Sequence, residues 1–171
     1  MRRRLPIALF VVVLAASESG CAALEGLRAL VQPPQFSEAE GQRAEIRLLP
    51  PGQGGLLGGA AIRLYARVRN PNPFGLTLST LRGNLFLDGS RAAEADFPLG
   101  LPLAAGGDAV VPLDLRVSFS DLPGLADVVR RAAAGQTLGY RLDGTVGVDA
   151  GQLGRPSFGP LTLLTGDLRT H

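Results

Sequence analysis

The sequence predicts an all-β domain, an antiparallel β-sandwich of about seven strands with a single α-helix near residues 121–134. Three observations carry that prediction. Apolar residues recur at every second position through most of the chain, as in Ile62, Leu64, Ala66 and Val68 set against Arg63, Tyr65, Arg67 and Arg69. This is the period of a strand with one face in a core and one in water. Gly, Pro, Asn and Asp punctuate these runs at short spacing, and among the strands only one stretch has helical period, whereas a parallel α/β sheet would need several helices. A chain of 171 residues suits one core rather than two.

Residues 1–20 are set apart as a signal peptide. Arg2, Arg3 and Arg4 form a positive start, Leu5 to Ala16 an apolar run, and Ser19-Gly20 lead into Cys21, the only cysteine. The apolar run is too short for a bilayer core, which takes about 20 residues in a helix. The segment resembles a bacterial lipobox, with Glu18 where a leucine-like residue is usual. That resemblance implies acylation of Cys21, with more than one chain holding the mature protein to a membrane more firmly than one could. Ala22 resembles the pattern sorted to an outer membrane where one exists, so the expected location is the cell envelope, facing the periplasm if there is an outer membrane and the cell surface otherwise. Residues 21–36 read as a tether, in which Leu24, Leu27 and Val31 have helical spacing before Pro33-Pro34 stops any helix.

The domain proper is expected over 37–171. Ala44, Ile46 and Leu48 form the first alternating run and Ile62 to Val68 the second, with the flexible insert "PPGQGGLLGG" at 50–59 as the hairpin loop between them. Asn70-Pro71-Asn72-Pro73 then ends the strand. Proline fixes φ and removes a donor, while asparagine bonds its own turn backbone, so the segment reads as a self-satisfied terminator, with Phe74 as an apolar peg behind it. Leu76 and Leu78 keep the earlier phase, but Leu81, Leu85 and Leu87 have the opposite parity, which predicts a bulge near Ser79-Thr80. Asp88-Gly89-Ser90 makes a tight turn into Ala93, Ala95 and Phe97.

Residues 99–108 read as a loop. Val111, Leu113, Leu115, Val117 and Phe119 follow as inward residues of a strand whose Pro112 assigns it to a sheet edge or places the proline near the strand's start. The helix is capped by Ser120 or Asp121, has Pro123 in its first turn and Leu122, Leu125, Val129 and Ala132 as its apolar stripe, and ends at Gly135. In the last two strands, 138–148 and 157–168, Leu138, Tyr140, Leu142, Val146 and Val148 point inward. Gly144 shares their parity, where a missing side chain permits close backbone approach. The connections expected are Greek-key-like, as in immunoglobulin and fibronectin type III domains. The interior is expected to be greasy throughout, with no polar cluster.

The chemistry legible in these residues is sparse. All 17 basic residues are arginine, there is no Trp, and Cys, Met and His occur once each. Loss of residues 1–20 removes three arginines and Glu18, leaving 14 arginines against 14 acids. A neutral domain lacks the clustered cationic excess that nucleic-acid binding needs. The glycine-rich insert lacks the lysine of a phosphate-binding loop, and His171, at the last position, has no neighbouring ligand types for a triad or a zinc site. Asp114, Asp127, Asp143 and Asp149 read as a solvated face rather than an acid–base pair; Asp143 and Asp149 flank loop-prone glycines, which leaves calcium as an alternative there, without EF-hand spacing. Arg63, Arg67 and Arg69 share one strand face beside Tyr65. They suit either anion or partner contact or ordinary cross-strand ion pairing. No catalytic, metal or cofactor-binding residue is nominated, and no enzymatic activity is expected.

Three stretches, "RVRNPNPFGLTLSTLRGNLFLDG", "AGGDAVVPLDLRVSFSDLPGL" and "GYRLDGTVGVD", resemble in their order the late-embryogenesis-abundant type 2 family and its water stress and hypersensitive response (WHy) domain. Asn70, Pro71, Asn72, Tyr140, Leu142 and Gly144 match that pattern, and the likeness covers about residues 36–168. It implies a β-sandwich with one helix, linked to desiccation and stress and without an established catalytic centre. The partners expected are a membrane through acylated Cys21, and stressed proteins or lipid headgroups. The other function class compatible with these residues is an envelope module that carries an apolar ligand or contacts a partner protein.

Overall fold

The computed structural model describes residues 30–119 and 126–170. The strands are β1 (Gln35–Glu38), β2 (Glu45–Leu49), β3 (Gly59–Arg69), β4 (Leu76–Leu87), β5 (Ser90–Leu103), β6 (Asp108–Ser118), β7 (Leu138–Asp149) and β8 (Ser157–Thr170), and the helix is α1 (Ala126–Ala133). They form two layers. In the first, β3 pairs antiparallel with β6 on one side and with β1 and β2 on the other. In the second, the order is β8-β7-β4-β5, all antiparallel. A short parallel pairing of β2 with β8, Glu45 opposite Arg169, joins the layers along one side. On the other side β5 and β6 remain edges, so the sheet is open.

The alternation read from the sequence is the alternation that packs. Ile62, Leu64, Ala66 and Val68 of β3 are buried against Leu78, Leu81, Leu85 and Leu87 of β4 and Leu138, Leu142, Val146 and Val148 of β7 in one continuous core. The phase change in β4 is taken up by a register shift between Leu78 and Thr80, against both β5 and β7. Without it the three later leucines would face water. The β4–β5 turn places Asp88 at φ 44° and Gly89 at φ 83°, the left-handed pair that matches strand twist in a two-residue hairpin. Pro112 lies on an edge strand as its missing N–H requires, since among the described residues β6 pairs with β3 alone.

Four features differ from the sequence reading. The described residues form eight strands, because Gln35–Glu38 adds β1, and Val31 is already buried at 3% exposure. Residues 99–103 are not loop but the end of β5, whose Pro98 and Pro102 are accommodated because that strand is the opposite edge. On β5 itself a second shift, between Leu85 and Phe86, buries Ala92 and leaves Ala93 half-buried. The described helix buries Val128 and Ala132, with Val129 half-buried. The proposed capping residues Ser120 and Asp121, like Leu122, Pro123 and Leu125, lie outside the described residues.

The interior is also not wholly apolar. Asn70 and Asn72 are buried to 0% and 1% exposure at one end of the sandwich. That end holds Gln32, residues 70–75 and 104–107. The opposite end, about 33 Å away along the 11 residues of β3, holds loop 50–58, the Asp88 turn and α1.

Candidate functional site

Asn70 and Asn72 form a closed hydrogen-bond cluster. The Asn70 Nδ2 donates to the carbonyls of Phe74 at 2.8 Å and Ala104 at 3.0 Å, and its Oδ1 accepts from the backbone N–H of Asn72 at 3.0 Å and from Asn72 Nδ2 at 2.9 Å. All four of its hydrogen-bonding positions are used. Asn72 then reaches back 40 residues. Its Nδ2 donates to the Gln32 carbonyl at 3.0 Å and its Oδ1 accepts from the Gln32 N–H at 2.8 Å, pairing with that residue as a neighbouring strand would. The backbone joins in: Asn70 N–H donates to the Gly107 carbonyl and Gly106 N–H to the Asn72 carbonyl. Pro71 supplies a residue with no donor to satisfy and a fixed φ between the two amides. Phe74 packs against the core behind them.

The segment is therefore a clamp. It fastens the incoming chain, the strand end and the β5–β6 turn to one another. Sequence reasoning found the asparagines and their local bond, but Gln32 and Ala104 are contacts of tertiary structure. The one available signal was that two amides placed behind an apolar strand need partners of their own.

The remaining motif residues lie on β7. Tyr140 is buried, and its hydroxyl donates to Glu38 Oε1 of β1 at 2.6 Å. Burial first, and then the Glu38 carboxylate, push its pKa well above the ordinary tyrosine range. Gly166 of β8 leaves room for the pair, because a Cβ there would overlap the Glu38 carboxylate and come within 2.9 Å of the ring. Below the usual value of 10.0 the hydroxyl is protonated in folded and unfolded chains alike. Above it the unfolded chain loses its proton first, so stability is full below that pH and declines as the pH rises through it. Tyr140→Phe is expected to remove this alkaline decline and to cost about 1 kcal/mol at neutral pH; urea midpoints measured from about pH 8 to about pH 11 check both. Leu142 is fully buried, and Gly144 lies opposite Gly83 on β4.

The arginine face divides. Arg63 is paired with Asp114 at 2.6 Å and Arg67 with Asp108 at 2.8 Å, both across to β6. The guanidinium of Arg63 holds the Asp114 carboxyl below its ordinary range. Arg69 makes no ion pair among the described residues and lines, with Arg67, Gln35, Phe36 and Ser37, an open concavity of about 560 Å³. The aspartates are occupied too: Asp127 pairs with Arg130, Asp143 with Arg141, and Asp149 with Arg155. The Gly151 N–H, before Arg155, lowers the pKa of Asp149. Cys21 lies outside the described residues. Among those residues no group of three or more His, Cys, Asp or Glu could hold a metal ion, and no helix is long and apolar enough to cross a membrane.

Comparison with known proteins places this architecture. The solution structure of an Arabidopsis thaliana protein superposes with a TM-score of 0.58 at 13% identity, covering 82% of this chain and 85% of that one. The solution structure of a protein described as late embryogenesis abundant gives 0.50 at 16% identity, with 99% and 94% covered. At such identities the likeness speaks for the fold alone. No curated protein sequence matches the chain. A model of the late embryogenesis abundant protein family matches residues 65–160, from the middle of β3 into β8 and so more than half of the sequence, and the chain belongs to that family.

Proposed function

We propose that this is a non-enzymatic, lipid-anchored member of the family, a WHy-domain protein that protects the cell envelope when water is withdrawn. The observation that carries the reading is the clamp on Gln32. A domain held by a lipid at Cys21 is joined to it by a short tether, ten residues from Cys21 to Val31. Extended, that tether reaches no more than about 35 Å. Asn72 grips the chain where the tether meets the fold, so the domain is offered to the membrane from one end. The rest of the surface suits contact rather than turnover, with arginines and acids paired along the strands and a core filled by aliphatic side chains of both layers. Acylation at Cys21, with Ala22 after it, would hold the protein at the periplasmic face of the outer membrane in a cell that has one.

The test has two arms. Cys21→Ser is expected to move the protein from the membrane fraction to the soluble one. Membranes carrying the parent protein are expected to retain their contents through drying and rehydration better than membranes carrying none. Equal leakage with and without the protein would end the protective reading, and an unmoved Cys21→Ser protein would end the anchor.

A further inference from the structure

The end of the sandwich remote from Gln32 carries two features that the clamp and the motif residues do not use. The first is loop 50–58. It is held in shape by backbone bonds from Gly52 N–H to Gly55 O at 2.9 Å, Gln53 N–H to Pro50 O at 3.1 Å and Gly58 N–H to Gly55 O at 3.1 Å. The left-handed φ of Gly52, Gly55 and Gly58 makes that shape accessible. This loop exposes Leu56 to 89% and Leu57 to 70%, the two largest exposures of any big apolar residue described.

The second feature lies just behind it. On the outer face of the first layer, Arg47 of β2 and Arg116 of β6 flank Ala61 of β3 in one cross-strand row. That row is two residues, about 7 Å, from Gly59 where the loop ends. Eight arginines of the described residues are ion-paired, but Arg47 and Arg116 are not among them. Together with Ala61, Glu45 and the Arg63–Asp114 pair they line a concavity of about 510 Å³, in which the arginines outnumber the carboxylates by three to two. An apolar tip with two guanidinium groups outside any ion pair of the described residues, in a row behind the loop, has the depth profile of a lipid surface: acyl chains first, then phosphates.

We propose that loop 50–58, with Arg47 and Arg116 behind it, docks on an anionic lipid bilayer. Leu56 and Leu57 enter the boundary between headgroups and acyl chains, and the two arginines meet lipid phosphates. The loop is about 33 Å from the Gln32 end, a distance that only a fully extended tether could span, so the bilayer it meets is one apposed to that in which the amino-terminal side is held. The protein would bridge two apposed membranes. The docking itself stands on the described loop and row; only the bridging rests on the anchor proposed above.

The full chain, immobilised by its amino terminus on a biosensor surface, is exposed to vesicles of phosphatidylcholine with or without phosphatidylglycerol. Capture of the anionic vesicles is expected, and weakened by salt. Arg47→Gln with Arg116→Gln should lower apparent affinity about 30-fold, since each arginine near an anionic surface contributes about fivefold. Leu56→Ser with Leu57→Ser should lower it at least about tenfold. Both positions are exposed, and an unchanged β-type circular dichroism spectrum confirms that the variants fold. Variants that bind like the parent would overturn the proposal, as would equal capture of neutral vesicles. So would self-association that the leucine changes abolish without any change in vesicle capture. None of these outcomes bears on the lipid at Cys21, which fractionation of Cys21→Ser reads separately.

Discussion

Asn70→Ala is expected to cost about 3–4 kcal/mol in urea unfolding, a large share of the stability of a domain this size. The size follows from what is left behind, not from what is removed. Truncation strips the half-buried Phe74 carbonyl and the Ala104 carbonyl of a donor and leaves the Asn72 N–H and one hydrogen of its amide, both buried, without an acceptor. Each buried orphan costs about 1–3 kcal/mol, partly recovered where water can enter. Asn70→Asp is the sharper control. It keeps the shape and the acceptor but sets a carboxylate against two carbonyl oxygens, so it should lose at least as much at neutral pH and recover part of it in acid, where the carboxyl regains a proton to donate. If both variants unfold at the parent's urea midpoint, the cluster is decoration and the presentation from one end argued from it fails as well.

The same cluster shows how far the sequence could be read. Period-two alternation identified the buried faces of β3, β4, β6 and β7, because each of those strands has one wet face and a register slip would expose its whole apolar set. The parity change between Leu78 and Leu81 located a bulge for the same reason. Proline was the less reliable sign. Pro112 correctly marked an edge, yet Pro98 and Pro102 disguised the end of β5 as loop, because a missing N–H forbids only the central place in a sheet and not the edge.

The contacts at the candidate site were legible only in part. A bond from Asn70 to the backbone two residues on is local and could be foreseen. The grip on Gln32, the Tyr140–Glu38 bond across 102 positions and the row that sets Arg47 and Arg116 on either side of Ala61 all depend on which strands lie side by side. One short parallel pairing, β2 with β8, was outside an antiparallel expectation altogether.

Gly144→Ala carries the other large effect. Gly144 on β7 sits directly opposite Gly83 on β4, and the backbones meet there without side chains between them. A Cβ on Gly144 would stand 2.3 Å from the Arg82 carbonyl oxygen and 3.0 Å from the Gly83 Cα, and one on Gly83 would stand 2.2 Å from the Asp143 carbonyl oxygen. The third strand crowds in as well, since a Cβ on Gly159 of β8 would come within 2.7 Å of the Gly144 carbonyl oxygen. The obstacles are backbone atoms in hydrogen-bonded strands, which cannot swing aside as a side-chain tip can. Accommodating one methyl group means parting β4 from β7 in the middle of the second layer, where Leu81, Leu85, Leu142 and Val146 are fully packed. The expected loss is at least about 3 kcal/mol. Gly75→Ala is the matched control, because its Cβ would meet the Leu103 carbonyl oxygen at an ordinary 3.5 Å, and it should stay within about 0.5 kcal/mol of the parent. Coupling gives a stricter test. If the cost is the parting of two strands, the first methyl group causes most of it, so Gly83→Ala and Gly144→Ala together should cost clearly less than the sum of the two alone. Losses that simply add would mean that each glycine is needed for its own backbone freedom, and that the close approach of β4 and β7 is not what either protects.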